Sequence, residues 1–370
     1  MSPLPGIERH PHARALLEPA LPPGEASHAY LFAGPAGAGK RELARAFAAA
    51  LVADGAPEAS DALERALRGV HPDVTWVAPS GAAEMLVADI DEPVVAAATR
   101  TPFESRRRVF VIEGAETMGE ATANRMLKTL EEPAAYVHLI LITARAGDVL
   151  PTVASRCQLV RFEAPSVADL RAGLEADGVA PAQADACARL ALGDGVRARA
   201  LALGDGPELR AAAERFAAAA IGDELSDRPW AALLELAARA GDGAAKQLDA
   251  EFASDLELVP RAERSRSERE HADRVRRVKR RHAQERLDLG LATAGLCYRD
   301  AAIFAHGAGE LIHGTDRRAE LERLSGRPSA SLHRALALID ETREALALNV
   351  NEELALESLA YRIAELAGGS

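Results

Sequence analysis

Short apolar runs alternate with segments of helical periodicity over the first 165 residues of the chain. Four of these runs are typical of strands: Tyr30-Leu31-Phe32, Asp73-Val74-Thr75-Trp76-Val77, Arg108-Val109-Phe110-Val111-Ile112 and Leu139-Ile140-Leu141-Ile142-Thr143. Continuous apolar runs of this length indicate strands that are buried on both faces. Because helical segments separate the runs, the strands are expected to be parallel. The pattern predicts an α/β domain over residues 1–164, with a parallel sheet and helices on both faces.

Two helices between these strands have limits that the sequence marks. Apolar residues recur at helical spacing from Glu42 to Val52, directly after a Gly-rich turn. A second helix is predicted from Thr117 to Glu132, and it should end there because Pro133 cannot continue it.

After the last of these strands the chain has only helical patterns. Ser166 is a suitable N-cap for a helix that begins at Val167. Pro181 and Gly193-Asp194-Gly195 delimit two further short helices. Residues 165–205 are therefore predicted to form a small helical lid.

The remaining residues, 206–370, are predicted to form a separate all-α collar domain. Apolar stripes of helical spacing recur in this part, for example Leu332, Ala335, Leu336 and Ile339.

Composition restricts the classes of protein that fit this pattern. The chain has 370 residues, enough for two or three domains, and a formal net charge of −12, which argues against nucleic-acid binding over the whole surface. Its cysteines are far apart, as expected in a reducing cytoplasm: Cys157, Cys187 and Cys297. Because no apolar run approaches the roughly 18–20 residues of a membrane span, we expect a cytoplasmic protein without a membrane partner.

A phosphate-binding loop lies between the first strand and the helix that follows it. The sequence GPAGAGKR from Gly34 to Arg41 has the pattern GxxxxGK[ST] except at its last position. Gly34, Gly37, Gly39 and Lys40 are candidates for holding the phosphates of a nucleotide through backbone N–H groups and the lysine amine. Arg41 stands where a hydroxyl would bind Mg²⁺, and a guanidinium cannot coordinate a metal.

A second nucleotide signal, at the end of the third strand, is also incomplete. Proteins that hydrolyse nucleotides carry two acids there, one near the metal and one that orients the attacking water. Here the strand ends in Glu113-Gly114-Ala115-Glu116. Glu113 keeps a carboxylate near the metal position, whereas Gly114 cannot orient water. Glu116 is a substitute for the missing acid or, together with Glu113, a solvated loop acid.

Four segments in the first 165 residues resemble the delta-prime subunits of the bacterial DNA polymerase III clamp loader, which are members of the AAA+ group. These segments are His28 to Gly34, His71-Pro72-Asp73, Asn124 to Pro133 with the run LKTLEEP, and Ser155-Arg156-Cys157. The LKTLEEP run and the Ser-Arg-Cys triplet, in that order after a phosphate loop, are specific to clamp-loader subunits.

The resemblance implies an AAA+ subunit that does not hydrolyse ATP and supplies Arg156 in trans, as an arginine finger, to a neighbouring motor subunit. The partners implied are gamma/tau motor subunits and a delta subunit in a hetero-pentamer, and indirectly a sliding clamp and primer–template DNA. The other interpretation of Arg156 is a surface residue in a loop before a strand. The alternative for the whole chain is an active ATPase motor in which Glu113 binds the metal.

The sequence departs from the family at two places. Many relatives carry four zinc-binding cysteines before the His-Pro-Asp segment, but residues 54–70 contain no Cys, so no zinc is expected. Lys40 is retained, which leaves binding of ATP or ADP without hydrolysis open. In the lid, Ala198 falls at the position where relatives carry a phosphate-sensing Arg. Arg197 and Arg199 lie on either side of it, and this alignment assigns a sensing role to neither of them.

Residues Arg261 to Arg286 are unusual in charge. They hold 11 basic and 5 acidic residues, a net charge of +6, and no aromatic residue that could stack on a base. The segment is either a long solvated helix with internal charge pairs or a contact for the DNA backbone or an acidic partner. A DNA-binding protein that uses this segment directly would bind DNA with a strong dependence on salt.

Overall fold

The computed structural model describes residues 4–21, 25–81, 84–256, 264–348 and 350–368. The chain divides into two compact units, Met1–Ala164 and Pro165–Ser370. The predicted further division of the helical part at residue 205 stays a prediction.

The described part of the first unit contains a parallel sheet with the strand order β2-β3-β4-β1-β5. The strands β1 to β5 are, in chain order, Ala29–Ala33, Val74–Val77, Arg108–Glu113, Val137–Thr143 and Gln158–Arg161. The four predicted strands are confirmed. The fifth, β5, pairs with β1 and follows Arg156, where the sequence analysis placed a strand without giving its limits.

Helices cover both faces of this sheet, as predicted. The helices α1 to α6 are Pro11–Ala20, Lys40–Ala53, Ala59–Arg68, Val87–Ile90, Glu120–Glu131 and Pro151–Ala154, and α4 continues as a π-helical turn, Asp91–Ala96. Alternate residues of each central strand enter two separate cores because side chains of a strand point to opposite faces. Tyr30 and Phe32 pack in the core with α1 and α2, whereas Phe110 and Leu139 pack in the core with α5.

The predicted helix from Thr117 begins later, at Glu120. A 3-10 turn, Ala115–Thr117, comes first, and the Thr117 hydroxyl donates to the Gly114 carbonyl at 2.7 Å. Gly119 then forms the extended N-cap of α5. The periodic apolar pattern could not reveal this turn because it depends on the left-handed Gly114 and on the Thr117 hydrogen bond to its carbonyl.

Helices make up the described part of the second unit. They are α7 Val167–Ala176, α8 Pro181–Leu190, α9 Gly195–Ala202, α10 Gly206–Gly222, α11 Ala231–Leu256, α12 Arg264–Ala305, α13 Arg318–Leu324, α14 Ser329–Ala347 and α15 Glu352–Gly368. The predicted cap is confirmed: the Ser166 hydroxyl accepts a hydrogen bond from the Asp169 N–H at 3.1 Å. The predicted stripe on α14 is also confirmed, since Leu332, Ala335 and Ile339 are buried in the core formed with α10, α11, α12 and α15.

The described part of the basic segment is helical. Residues 261–263 lie outside the described residues, and from Arg264 onward the segment forms the first half of α12. Lys279 pairs with Asp242 of α11 at 2.5 Å, and the His271 ring nitrogen lies 2.7 Å from the Asp249 carboxylate. These contacts join the segment to α11, so they are pairs between two helices and not within one.

Among the described residues, none of the helices combines the length and the apolar character that crossing a membrane requires.

Candidate functional site

The phosphate loop joins β1 to α2 at the carboxyl edge of the sheet. Gly37 and Gly39 adopt left-handed backbone conformations, with φ of +74° and +82°. Gly34 is required by a close approach, because a Cβ at this position would lie 2.5 Å from the Phe162 carbonyl oxygen. The loop therefore brings backbone N–H groups and the N-terminus of α2 to one point, as phosphate binding requires.

Lys40 is the first residue of α2, and its side chain is buried. Its amine donates to the carbonyl oxygens of Gly34 at 2.5 Å and Pro35 at 2.6 Å. The lysine is thus folded against the loop that would bind phosphate. A nucleotide would have to offer oxygens that replace these carbonyls.

Arg41 and Glu113 form an ion pair across the site. The Arg41 Nε lies 2.8 Å from Glu113 Oε1, although Arg41 follows β1 and Glu113 ends β3, with β4 between these strands. The Trp76 indole N–H donates to the same carboxylate oxygen. The Glu113 side chain is only 18% exposed. The acid predicted to lie near the metal position therefore already binds two donors of its own chain.

The residues after Glu113 are also fixed. Gly114 has a φ of +66°, and a Cβ there would lie 2.8 Å from Cγ of Pro79, so a larger residue would be strained both in backbone conformation and in space. The Glu116 carboxylate accepts a hydrogen bond from the Ala144 N–H at 3.2 Å, which ties the turn after β3 to the end of β4. This contact gives Glu116 a structural role.

Arg156 lies in the turn between α6 and β5. Its Nε donates to Glu131 Oε1 at 2.9 Å, its Nη2 donates to the same oxygen, and its Nη1 donates to the Thr152 carbonyl at 2.7 Å. Glu131 is the first glutamate of the LKTLEEP run, so the two family segments meet here. The Arg156 side chain is 33% exposed. Its predicted role as a finger stays a prediction.

The thiol next to this arginine is not reactive. Burial raises the pKa of Cys157 to about 12, so the thiol stays protonated at neutral pH. Burial also raises the pKa of Cys187 and of Cys297.

Sequence reasoning missed two side chains that border the phosphate loop. The His10 ring lies 4.0 Å from the point where a Cβ on Gly39 would be, and its Nδ1 is 3.1 Å from the Glu163 carboxylate. Trp76 was noted only as part of a strand. No local pattern could have found the His10 contact because the two partners are 153 residues apart.

The His-Pro-Asp segment has a structural role. Asp73 is fully buried, and its carboxylate accepts hydrogen bonds from the backbone N–H groups of Phe103 at 2.6 Å, Glu104 at 3.0 Å and Ser105 at 2.9 Å. His71 accepts from the Asp73 N–H at 3.1 Å. The segment thus fixes the turn that leads into β3.

The lid residues around the sensing position are engaged within the second unit. Ala198 is buried. Arg199 pairs with Asp177 at 3.0 Å. Burial, followed by the nearby charge of Arg343, lowers the pKa of Arg197. Neither arginine is identified as a phosphate sensor by these contacts.

The strand order, the phosphate loop after β1 and the helical unit that follows define an AAA+ P-loop protein. The family model described as DNA polymerase III, delta subunit, matches residues 9–166, and the model described as DNA polymerase III, delta subunit, C terminal, matches residues 296–365. The chain belongs to the clamp-loader family of DNA polymerase III subunits.

Curated relatives match part of the chain. The chain is 38% identical over 136 residues to the DNA polymerase III subunit delta' of Pseudomonas aeruginosa, covering 35% of this chain and 42% of the relative. It is 32% identical over 162 residues to the delta' subunit of Bacillus subtilis, covering 42% of this chain and 48% of the relative. It is also 33% identical over 155 residues to the gamma/tau subunit of Mycobacterium bovis, covering 39% of this chain and 26% of the relative. The match therefore spans less than half the length of these relatives.

Among solved structures, the chain is similar to a DNA polymerase III gamma subunit-related protein of Thermotoga maritima. The identity is 17% and the TM-score 0.45, over 96% of this chain and 99% of that one.

Proposed function

We propose that the chain is a delta-prime subunit of a bacterial DNA polymerase III clamp loader, which does not hydrolyse ATP and supplies Arg156 in trans to a neighbouring motor subunit. With gamma/tau motor subunits and a delta subunit in a hetero-pentamer, it helps to load the sliding clamp on primed DNA during replication. Family membership supports the general role, and the finer role rests on the two sites described above.

One observation carries the loss of hydrolysis: the Arg41–Glu113 ion pair takes the carboxylate that a metal would need. Phosphoryl transfer depends mostly on positioning and on charge stabilisation by the metal and a water-orienting residue. Gly114 cannot orient water, and Glu116 is tied to the Ala144 backbone. The site therefore lacks both contributions.

The environment of Arg156 supports its action in trans. A guanidinium offers planar, bidentate donors to the charge that develops on a transferring phosphoryl group. The side chain is held beside the short helix α6 by the Thr152 carbonyl and by Glu131, whose carboxylate is itself 47% exposed. Because an exposed carboxylate is readily solvated, the guanidinium can exchange Glu131 for a phosphate of a neighbouring subunit at small cost.

The alternative function is an ATPase motor of the gamma/tau type. The similarity to a gamma/tau subunit is the observation that favours it. This alternative requires the isolated chain to hydrolyse ATP in a manner that depends on Lys40.

The deciding experiment measures steady-state ATP hydrolysis by the isolated chain and by its reconstituted complex with motor and delta subunits. We expect no hydrolysis by the isolated chain. In the complex, Arg156→Ala should lower ATP hydrolysis at the motor site that receives this arginine by roughly 10³-fold or more. The total rate of the complex should therefore fall by the fraction that this one site contributes. Arg156→Lys should lose most of the same activity because a lysine lacks the planar fork.

The matched control is Arg68→Ala, which removes another exposed arginine that pairs with a glutamate of the same unit, Glu64 at 3.1 Å. Native mass spectrometry of each complex shows whether assembly is intact. An assembled Arg156→Ala complex with the wild-type rate would rule out the finger, and Lys40-dependent hydrolysis by the chain alone would establish the motor alternative.

A further inference from the structure

The Arg41–Glu113 pair places a positive charge where hydrolysing P-loop proteins hold Mg²⁺. In such proteins the hydroxyl that follows the loop lysine binds the metal, and an acid at the end of the β3-type strand lies beside it. In this chain the residue after Lys40 is Arg41, and its guanidinium pairs with the acid at the end of β3. This chain therefore has a cation and an acid at these two positions, as hydrolysing P-loop proteins do. Its cation, however, is the Arg41 guanidinium instead of Mg²⁺.

The residues at this point do not fit a divalent metal. Mg²⁺ requires oxygen ligands in nearly octahedral geometry and binds proteins through carboxylates and hydroxyls. Position 41 offers no oxygen, and the Glu113 oxygen accepts from both Arg41 and the Trp76 N–H. A metal would have to displace both donors and then lie next to a guanidinium of like charge.

The residues of the loop do fit phosphates. The loop is tightly turned: a Cβ at Gly34 would lie 2.5 Å from the Phe162 carbonyl oxygen, and Gly37 and Gly39 are left-handed, which directs the chain into the N-terminus of α2. The first turn of α2 contributes its N–H groups and the positive end of its dipole. The Lys40 amine lies at the loop, where phosphate oxygens would replace the Gly34 and Pro35 carbonyls as its acceptors.

Arg41 can serve the phosphates without leaving Glu113. The ion pair uses Nε, and a guanidinium carries further N–H donors on its terminal nitrogens. The Arg41 side chain is 66% exposed, so part of it reaches solvent. Glu113 holds the Arg41 guanidinium in one orientation, just as a carboxylate ligand holds a metal ion in one position.

We propose that the phosphate loop of this chain binds a nucleoside di- or triphosphate in its metal-free form, with Arg41 supplying the positive charge that Mg²⁺ supplies elsewhere. This inference rests on the part of the proposed function in which the chain does not hydrolyse ATP, and it adds that the loop holds a nucleotide. The site would then differ from the ATP sites of the motor subunits in two ways. It would bind nucleotide without a metal, and it would not hydrolyse it.

Calorimetric titration of the isolated full chain tests the proposal directly. ATP and ADP are titrated in excess chelator and, separately, in excess Mg²⁺. The wild-type chain should bind at least as tightly in chelator as in Mg²⁺. Arg41→Thr restores the metal-binding hydroxyl and releases Glu113. This variant should therefore bind nucleotide roughly 10–100-fold more weakly in chelator than in Mg²⁺, which is the range for loss of a charge-assisted hydrogen bond.

Two further variants locate the site. Lys40→Ala should abolish binding in both buffers, whereas Arg68→Ala should bind as the wild type does. Trp76 fluorescence gives a second readout, because its N–H donates to Glu113 and nucleotide binding at Arg41 changes this contact. The fluorescence change should be absent from Trp76→Phe.

Three results would overturn the proposal: binding by the wild type only in Mg²⁺, no binding in either buffer, or wild-type binding by Lys40→Ala. None of them affects the arginine-finger test, which measures hydrolysis at a site on another subunit. A failure here and a failure of the proposed function are therefore separate results.

Discussion

Two of the arginine–glutamate pairs in the α/β unit have similar donor–acceptor distances, but their carboxylates differ in burial. Arg41 lies 2.8 Å from Glu113, and Arg156 lies 2.9 Å from Glu131. In the first pair, which we name the closed pair, the carboxylate is 18% exposed. In the second, the open pair, the carboxylate is 47% exposed.

The difference in burial decides what each arginine can do. A mostly buried carboxylate that accepts from both a guanidinium and an indole cannot lose a donor without leaving polar groups unsatisfied. An exposed carboxylate regains water when its partner leaves, so the ion pair contributes little net stability. The comparison therefore indicates that Arg41 stays on Glu113 in the closed pair, whereas Arg156 can exchange Glu131 for another acceptor in the open pair.

The largest effect on stability is expected next to the closed pair, for Gly114→Ala. A non-glycine residue at a φ of +66°, with Cβ 2.8 Å from Pro79, should lower the free energy of unfolding by about 2–4 kcal/mol. Urea unfolding followed by Trp76 fluorescence, in a Trp230→Phe background, measures this change. Trp230 suits replacement because its indole N–H is buried without a hydrogen-bond partner in the described part of the chain.

Gly147→Ala is the control for that measurement, since nothing lies within 4 Å of a Cβ at Gly147. It should change the free energy of unfolding by less than about 0.5 kcal/mol. Equal effects of the two substitutions would show that the turn after β3 is not rigid.

A smaller effect is expected for removal of the buried carboxylate itself. Glu113→Ala leaves the Arg41 guanidinium and the Trp76 N–H without their shared acceptor, and should lower the free energy of unfolding by about 1–3 kcal/mol. The same urea titration measures it. A change near zero would mean that the closed pair is as weak as a surface ion pair.

The smallest effect on stability is expected at the open pair. Glu131→Ala should change the free energy of unfolding by about 0–1 kcal/mol. In the reconstituted complex it should change kcat only slightly, with KM for ATP unchanged, because Arg156 leaves Glu131 for the phosphate when it acts. A loss as large as that of Arg156→Ala would contradict this exchange.

Most of the α/β architecture follows from local sequence. Continuous apolar runs gave the strands, and the Ser166 cap and the Pro181 and Gly193–Gly195 limits gave the first helices of the second unit. The start of α5 could not be predicted, since the preceding 3-10 turn depends on the left-handed Gly114 and a hydrogen bond from Thr117 to its carbonyl.

The components of the nucleotide site could be named from the sequence, but their contacts could not. Gly34, Lys40, Arg41 and Glu113 were all identified from two motifs. Their arrangement depends on the strand order, in which β4 separates β1 from β3, and no local pattern contains that order. For the same reason the sequence did not reveal that Trp76 shares the Glu113 oxygen or that Glu131 binds Arg156.

The contact between Gly114 and Pro79 has a consequence for attempts to place an acid after Glu113. An acid at position 114 would introduce a Cβ 2.8 Å from Pro79 Cγ, at a backbone conformation that favours glycine. Because Arg41 would still pair with Glu113, the single change is expected to lower stability without freeing a carboxylate for a metal. An engineered acid at this turn therefore requires compensating changes at positions 79 and 41.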